Sequence, residues 1–301
     1  MFGKNALIAL CITGTMIDPG IKTTLLSHKL NVPTDNISSS VSIDTKNIAL
    51  KFLPANASFL SSLNLKNNNP IISMDIDGDK KDEIIAFYKT SGDEAAVGMI
   101  VLKQGNNGKW DKIVDYKSQG YDIDDIIIAD VTGDGINDLV TGWKLGSIYN
   151  DLNIFSWKDN TFEKIANSTY SKIAVEDMPD INGKKDNKAE IALWNHDTGN
   201  AYMVDVFRWN GTKLVPAEDV YPYYFTKVSN YYKERVKEMP DAAFYWYYLG
   251  DSQIKAGNPK DALASIDQAL QIKKSHPDYY PEDDVLINLS KKAQDMITSS
   301  K

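Results

Sequence analysis

From Ile72 to about Pro222 the chain switches repeatedly between short apolar runs and acidic or Gly/Asn-rich turns. In "AYMVDVFRW", from Ala201, apolar and polar positions alternate, which places them on opposite faces of a strand. Three segments share one layout: "ISMDIDGDKKDEIIAFYKT" from Ile72, "IIADVTGDGINDLVTGWKL" from Ile127 and "VEDMPDINGKKDNKAEIALWN" from Val175. Their leading aspartates, Asp75, Asp130 and Asp180, are 55 and 50 residues apart. Each acidic loop separates two apolar runs. A third run follows ("AVGMIVLKQ", "DLNIFSW", "AYMVDVFRW"), then a turn ("GNNGKW", "KDNTF", "NGTKL") and a fourth run such as "KWDKIVDY". Four short strands per period near 50 predict about three four-stranded propeller-type blades over residues 46–222. Three blades are too few to close a ring, so an open or partial propeller is expected, its exposed edges covered by "ASFLSSL" from Ala57 as an outer strand, by later helices, or by a second chain.

The period changes after Pro222. Residues 223–301 carry helix formers at helical spacing, and in "FYWYYLGDSQIKAGNPKDALASIDQALQI" Trp246, Leu249, Gly250, Gly257, Ala262, Ile266 and Ala269 hold the offsets of a tetratricopeptide repeat, which this stretch resembles. Small Gly250, Ala262 and Ala269 would let two antiparallel helices approach, with Trp246, Leu249 and Ile266 filling between them. Helix-like stretches on either side of this copy predict a four-helix cap. Eight aromatics (Tyr223, Tyr224, Tyr231, Tyr232, Phe244, Tyr245, Tyr247 and Tyr248) would support peptide capture if they lined a groove, but rings of this size more often pack between helices. Near the other end, Asn47 to Leu53 predicts one or two helical turns stopped by Pro54.

The acidic loops carry the candidate chemistry. In "DVTGDGIND", side-chain oxygens stand at loop positions one (Asp130), three (Thr132), five (Asp134) and nine (Asp138), and the Ile136 carbonyl can add a fifth. Ca²⁺ takes six to eight hard oxygens, and alternate-residue spacing in a tightly wound loop aims them at one point. "DIDGDKKDE" offers Asp75, Asp77, Asp79, the Lys81 carbonyl and Glu83 in the same way. Asp and Gly also build ordinary turns, with Asp side chains accepting backbone amides. Two such loops in one phase of a repeat, with carboxylates that would repel one another without a cation, favour metal. The third loop, "DINGKKDNKAE", offers Asp180, Asn182, Asp186 and Glu190 but places lysines where ligands belong, so degeneracy is expected there.

These loops and the strands after them resemble FG-GAP (VCBS-type) repeats over roughly residues 70–222, most specifically in "DVTGDGINDLVTG". The resemblance implies a β-propeller surface, Ca²⁺ in the loop of each intact repeat, and adhesion or scaffolding roles.

Composition narrows the alternatives. A net charge of −8, with no clustered basic stripe, argues against nucleic acid as partner. The lone Cys11 excludes an intrachain disulfide and a multi-cysteine metal site, and His28, His196 and His276 have no partner spacing. His196–Asp197 is the one His–acid neighbour pair, and no nucleophile elbow or phosphate loop accompanies it, so a non-enzymatic protein is expected. Residues 1–17 read as an apolar signal-like segment too short to span a bilayer, and 18–45 as a flexible tether. Cys11 stands where a lipoprotein would be lipidated, but Leu10 precedes it where such signals carry a small residue; a buried or free thiol is the other reading. The expectation is an extracytoplasmic Ca²⁺-binding interaction module, secreted or membrane-tethered, with an unknown protein partner and a possible homo-oligomer. The alternative is an intracellular tetratricopeptide-type scaffold with the blades as a rigid mount.

Overall fold

The computed structural model describes residues 43–299, apart from 63, 66–68 and 93–94. The apolar start 1–17, Cys11, His28 and all but the last residues of the tether lie outside the described residues. Helix α1 (Ile43–Leu50) begins inside the predicted tether and ends before Pro54. Thirteen strands in three antiparallel sheets and then four helices follow it.

The first sheet orders β2 (Ile71–Met74), β3 (Glu83–Thr90), β4 (Val97–Gln104) and β5 (Trp110–Lys117). β1 (Ala57–Phe59) pairs with Tyr88 to Thr90 of β3, beyond the stretch that β2 occupies. It therefore extends the first strand position instead of adding the expected outer strand. The second sheet runs β6 (Asp122–Ala129), β7 (Asp138–Lys144), β8 (Asn150–Lys158) and β9 (Thr161–Tyr170). The third runs β10 (Lys172–Glu176), β11 (Glu190–His196), β12 (Tyr202–Trp209) and β13 (Leu214–Pro216).

The sheets form no closed ring; they stack face to face. This explains why the middle strands read as nearly unbroken apolar runs, since both faces of each pleat are buried. Along β3, Ile85 and Phe87 enter the core shared with the second sheet, while Ile84, Ala86 and Tyr88 enter a separate core beneath α1. Along β7, Leu139 and Trp143 face the first sheet and Val140 faces the third. Along β11, Ile191 and Leu193 face the second sheet, and Ala192 and Trp194 face the helices. The stack is thus closed at its ends by helix, with α1 over the outer face of the first sheet and α2 over that of the third. Terminal caps of this kind do for a stack of repeats what ring closure does for a propeller. The later helices cover a sheet face, where an edge had been expected.

The helices are α2 (Tyr221–Glu238), α3 (Ala243–Lys255), α4 (Pro259–Ser275) and α5 (Asp283–Ser299), so the helical region opens two residues earlier than the composition suggested. Pro259 takes the first turn of α4, where its missing N–H costs nothing. Gly250 lets α3 and α4 close up: a Cβ there would stand 2.8 Å from Ile266 Cγ1. Ala262, Ile266 and Ala269 are buried between α3, α4 and α5, as the spacing predicted, whereas Leu249 turns toward the core shared with α2.

The eight aromatics form no open groove. Tyr224, Tyr232, Tyr245 and Tyr248 are buried, and the other four pack against the same core, which joins the third sheet to α2 and α3. Their hydroxyls bridge the junction. Trp194 Nε1 donates to Tyr224 Oη at 2.9 Å, and Tyr232 Oη donates to the Tyr202 carbonyl while accepting the Tyr202 amide. Tyr248 Oη donates to Asp197 at 2.7 Å. Tyrosine supplies both apolar area and a polar tip, which suits a buried seam between a sheet and helices. Among the described residues no helix is long and apolar enough to cross a membrane.

Candidate functional site: three acidic corners

The loops joining the first and second strands of each sheet, residues 75–82, 130–137 and 177–189, lie side by side at one end of the stack. Ile136 of the second corner reaches over Gly78 of the first, where an added Cβ would meet its Cδ1 at 3.1 Å. Lys188 of the third crosses Gly133 of the second, and the Ala189 amide donates to the Asp130 carbonyl at 2.7 Å.

One hydrogen-bond pattern recurs at all three. The acid that opens the second strand is buried and accepts the amide of the second loop residue. Glu83 takes Ile76 N–H at 3.2 Å, Asp138 takes Val131 N–H at 2.8 Å, and Glu190 takes Met178 N–H at 2.9 Å. Ile76, Val131 and Met178 are themselves buried, so each corner is pinned by one apolar side chain and one carboxylate. The aspartate in register with Asp75 and Asp130 is therefore Asp177, and Asp180, chosen from spacing, lies three residues further into a longer loop. The third corner was misphased because its extra residues fall inside the loop; "VEDM" matches "ISMDI" and "IADV" only once the strand ends are fixed.

In the second corner, Asp130 accepts Gly133 N–H at 2.5 Å and Gly135 N–H at 2.8 Å, and Asp134 accepts Ile136 N–H at 2.8 Å. Gly133 and Gly135 have φ of +79° and +85°, the left-handed winding that glycine tolerates and that lets one side chain reach two amides. Asp138 also accepts the Thr132 amide and a hydrogen bond from Ser156. Thr132 Oγ1 is buried and has no hydrogen-bond partner among the described residues. Burial pushes the Asp138 carboxyl up from its ordinary value; its hydrogen bonds oppose that, and the neighbouring Asp134 charge adds to it. Among the described residues no lysine or arginine pairs with Asp130, Asp134 or Asp138. Lys188, which crosses Gly133, donates its ammonium to the Trp209 carbonyl. The loop thus offers hard oxygens and an orphaned hydroxyl, but among the described residues Asp130, Asp134 and Asp138 do not gather three carboxylate oxygens within 4.8 Å of one another, as the first corner does.

The first corner differs. Asp75, Asp77 and Glu83 bring carboxylate oxygens within 4.8 Å of one another. Asp75 accepts the Gly78 and Lys80 amides, and Lys81 donates its amide to Asp79. Lys103, from β4, places Nζ 2.7 Å from Asp77, 2.8 Å from Glu83 and 3.1 Å from Asp79. Burial pushes the Glu83 carboxyl up, with the Lys103 hydrogen bond opposing it. Burial alone would lower the Lys103 ammonium, but the hydrogen bonds it donates to Asp77, Glu83 and Asp79 outweigh that and hold the group above its ordinary value. The Lys103 hydrogen bond holds exposed Asp79 below the usual carboxylate range.

At the third corner, Asp180 accepts the Asn182 and Lys184 amides, and Asp186 accepts that of Lys188. Asp177 accepts the Asn187 amide on one oxygen, while its Oδ1 is buried without a hydrogen-bond partner among the described residues. Glu190 pairs with Arg208 at 2.7 Å, and Arg208 also grips Asp219 through both terminal nitrogens. The His196–Asp197 pair is spent on structure: His196 Nε2 lies 2.9 Å from the Gly199 carbonyl, and Asp197 holds Tyr248.

Lys103, Ser156 and Arg208 were not among the candidate residues read from the loops. Their signal sits in the third runs, where "LK", "FS" and "FR" occupy one phase of the repeat. Comparison with protein-family models and with curated proteins finds no match for this chain.

Proposed function

We propose that the chain is a non-enzymatic Ca²⁺-binding, protein-interaction module, exported or surface-associated. Its three sheets are FG-GAP (VCBS-type) blades in an open propeller, and its helices are a tetratricopeptide-like region. The single observation that carries this reading is the second corner: among the described residues, Asp130, Asp134 and Asp138 share one tight loop without a basic partner, and Thr132 Oγ1 has no hydrogen-bond partner. Asp130, Thr132, Asp134, Asp138 and the Ile136 carbonyl would hold the ion. Ca²⁺ would remove the mutual repulsion and fasten the loop end of the stack, leaving the helices or the loops to meet a partner. Sites with few ligands of this kind work where calcium is plentiful, which suits a location outside the cytoplasm.

The test is calorimetry and thermal melting of the chelator-treated full chain. Calcium is expected to bind with a dissociation constant in the roughly 0.1–1 mM range of extracellular modules and to raise the melting temperature. Asp130→Ala is expected to abolish that shift. Neither heat nor a thermal shift up to millimolar Ca²⁺ would refute the metal reading.

One observation favours the alternative, an intracellular scaffold in which the helices act and the sheets are a mount. An open groove of about 570 Å³ runs between α2, α3 and α4, lined by Lys233, Lys237, Trp246 and Asp261 among others. Mass spectrometry of the mature N-terminus separates the two readings, since a cleaved or lipidated start supports export.

A further inference from the structure

We infer that the residue facing the buried acid from the third strand of each sheet decides whether that corner takes a divalent cation. Lys103 and Arg208 supply the positive charge from within the chain, and Ser156 leaves the second corner to bind an ion. The inference rests on the calcium reading above and sharpens it to one site of defined position.

The three residues are equivalent by register. Ile84 pairs with Leu102, Leu139 with Phe155 and Ile191 with Phe207. One rung back, Glu83 stands opposite Lys103, Asp138 opposite Ser156 and Glu190 opposite Arg208. Side chains across one rung of an antiparallel pair share a face and meet directly. The contacts agree, with Glu83–Lys103 at 2.8 Å, Glu190–Arg208 at 2.7 Å and Asp138 accepting from Ser156. The same rung thus holds a cation in the first and third sheets and a neutral hydroxyl in the second.

At the first corner the ammonium occupies the point on which the loop's ligands converge. Nζ has three donors and finds three carboxylates, those of Asp77, Asp79 and Glu83, which are three of the five ligands expected for a metal. A divalent ion could enter only if Lys103 gave up all three contacts and swung out. The close acidic cluster that resembles a metal site is the pocket of a tethered ammonium. Arg208 acts on a narrower scale: it compensates Glu190 and Asp219, while Asp180 and Asp186 accept backbone amides and Asp177 Oδ1 stays unpaired among the described residues.

Calcium titration by calorimetry of the full-length wild type, Lys103→Ser, Lys103→Met and Ser156→Lys tests this. The wild type is expected to bind one ion. Lys103→Ser, which copies the second corner's rung, is expected to bind two and to gain a larger Ca²⁺-dependent rise in melting temperature. Lys103→Met must gain the second ion as well, which guards against a folding defect peculiar to the serine. Ser156→Lys is expected to bind none and to melt at one temperature with or without calcium. Two ions on the wild type, or one ion on both folded Lys103 variants, would overturn the inference while leaving calcium binding intact. No ion on the wild type but one on the Lys103 variants would refute the calcium reading of the native protein and uphold the role of Lys103. No ion on any of them would end both.

Discussion

Replacing Arg208 with methionine is expected to cost about 3 kcal/mol of stability at neutral pH, read from denaturant unfolding. Glu190 is fully buried, and Arg208 is its ion-pair partner on the third sheet. Removing one member of a buried pair strands the other charge, which typically costs 3–5 kcal/mol. The lower end applies because Arg208 keeps a quarter of its side chain exposed. The pH dependence has a definite sign. Burial already pushes the Glu190 carboxyl above its ordinary value in the folded protein, and loss of Arg208 pushes it further. A carboxyl whose folded pKa exceeds its unfolded one destabilises when ionised. The deficit is therefore full above the folded pKa and shrinks as the pH falls toward the unfolded value of about 4.3. Adding Glu190→Gln should recover much of the loss, and a deficit that ignored both pH and the second substitution would contradict the assignment.

Trp143→Ala is expected to be at least as damaging, about 3–5 kcal/mol, as for other large aromatic truncations in a core. Trp143 is wholly buried between the first and second sheets, with Phe87 and Tyr116 at ring-centroid distances of 5.9 and 6.2 Å. Its Nε1 donates to Thr141 Oγ1 at 2.9 Å, so truncation leaves a cavity and removes that bond, and Thr141 Oγ1 keeps only its 3.5 Å contact to the Asn153 carbonyl. The stack has no ring closure to fall back on, and each interface depends on its own two faces. Limited proteolysis is expected to cut first in the first sheet, now poorly held. Equal protection of all three sheets would mean that the interfaces do not melt separately.

Much of this was legible in the chain. Turn residues and apolar runs located the strands, because a pleat buried on both faces leaves few other ways to read "EIIAFYKT" or "DLVTGWK". The tetratricopeptide-like offsets located α3 and α4, since small residues at Gly250 and Ala262 mark a close helix approach. The phase of the third corner was hidden, because Asp180 sits in a better-looking acidic run than Asp177, and only the Glu176–Glu190 pairing reveals which aspartate follows the strand. Lys103, Ser156 and Arg208 were hidden for a different reason. They lie on the third strand, some twenty residues from the loops they serve, and an ion pair across a rung has no signature along a single strand. The use of the aromatics was also out of reach, because the residues that Tyr224 and Tyr232 meet, Trp194 and Tyr202, lie 30 positions upstream.

The most direct test is diffraction from crystals grown with calcium, using the anomalous signal of the ion to locate it. A single peak enclosed by Asp130, Asp134 and Asp138, with Lys103 still bound to Asp77 and Glu83, is the predicted result. No peak at the second corner would contradict it.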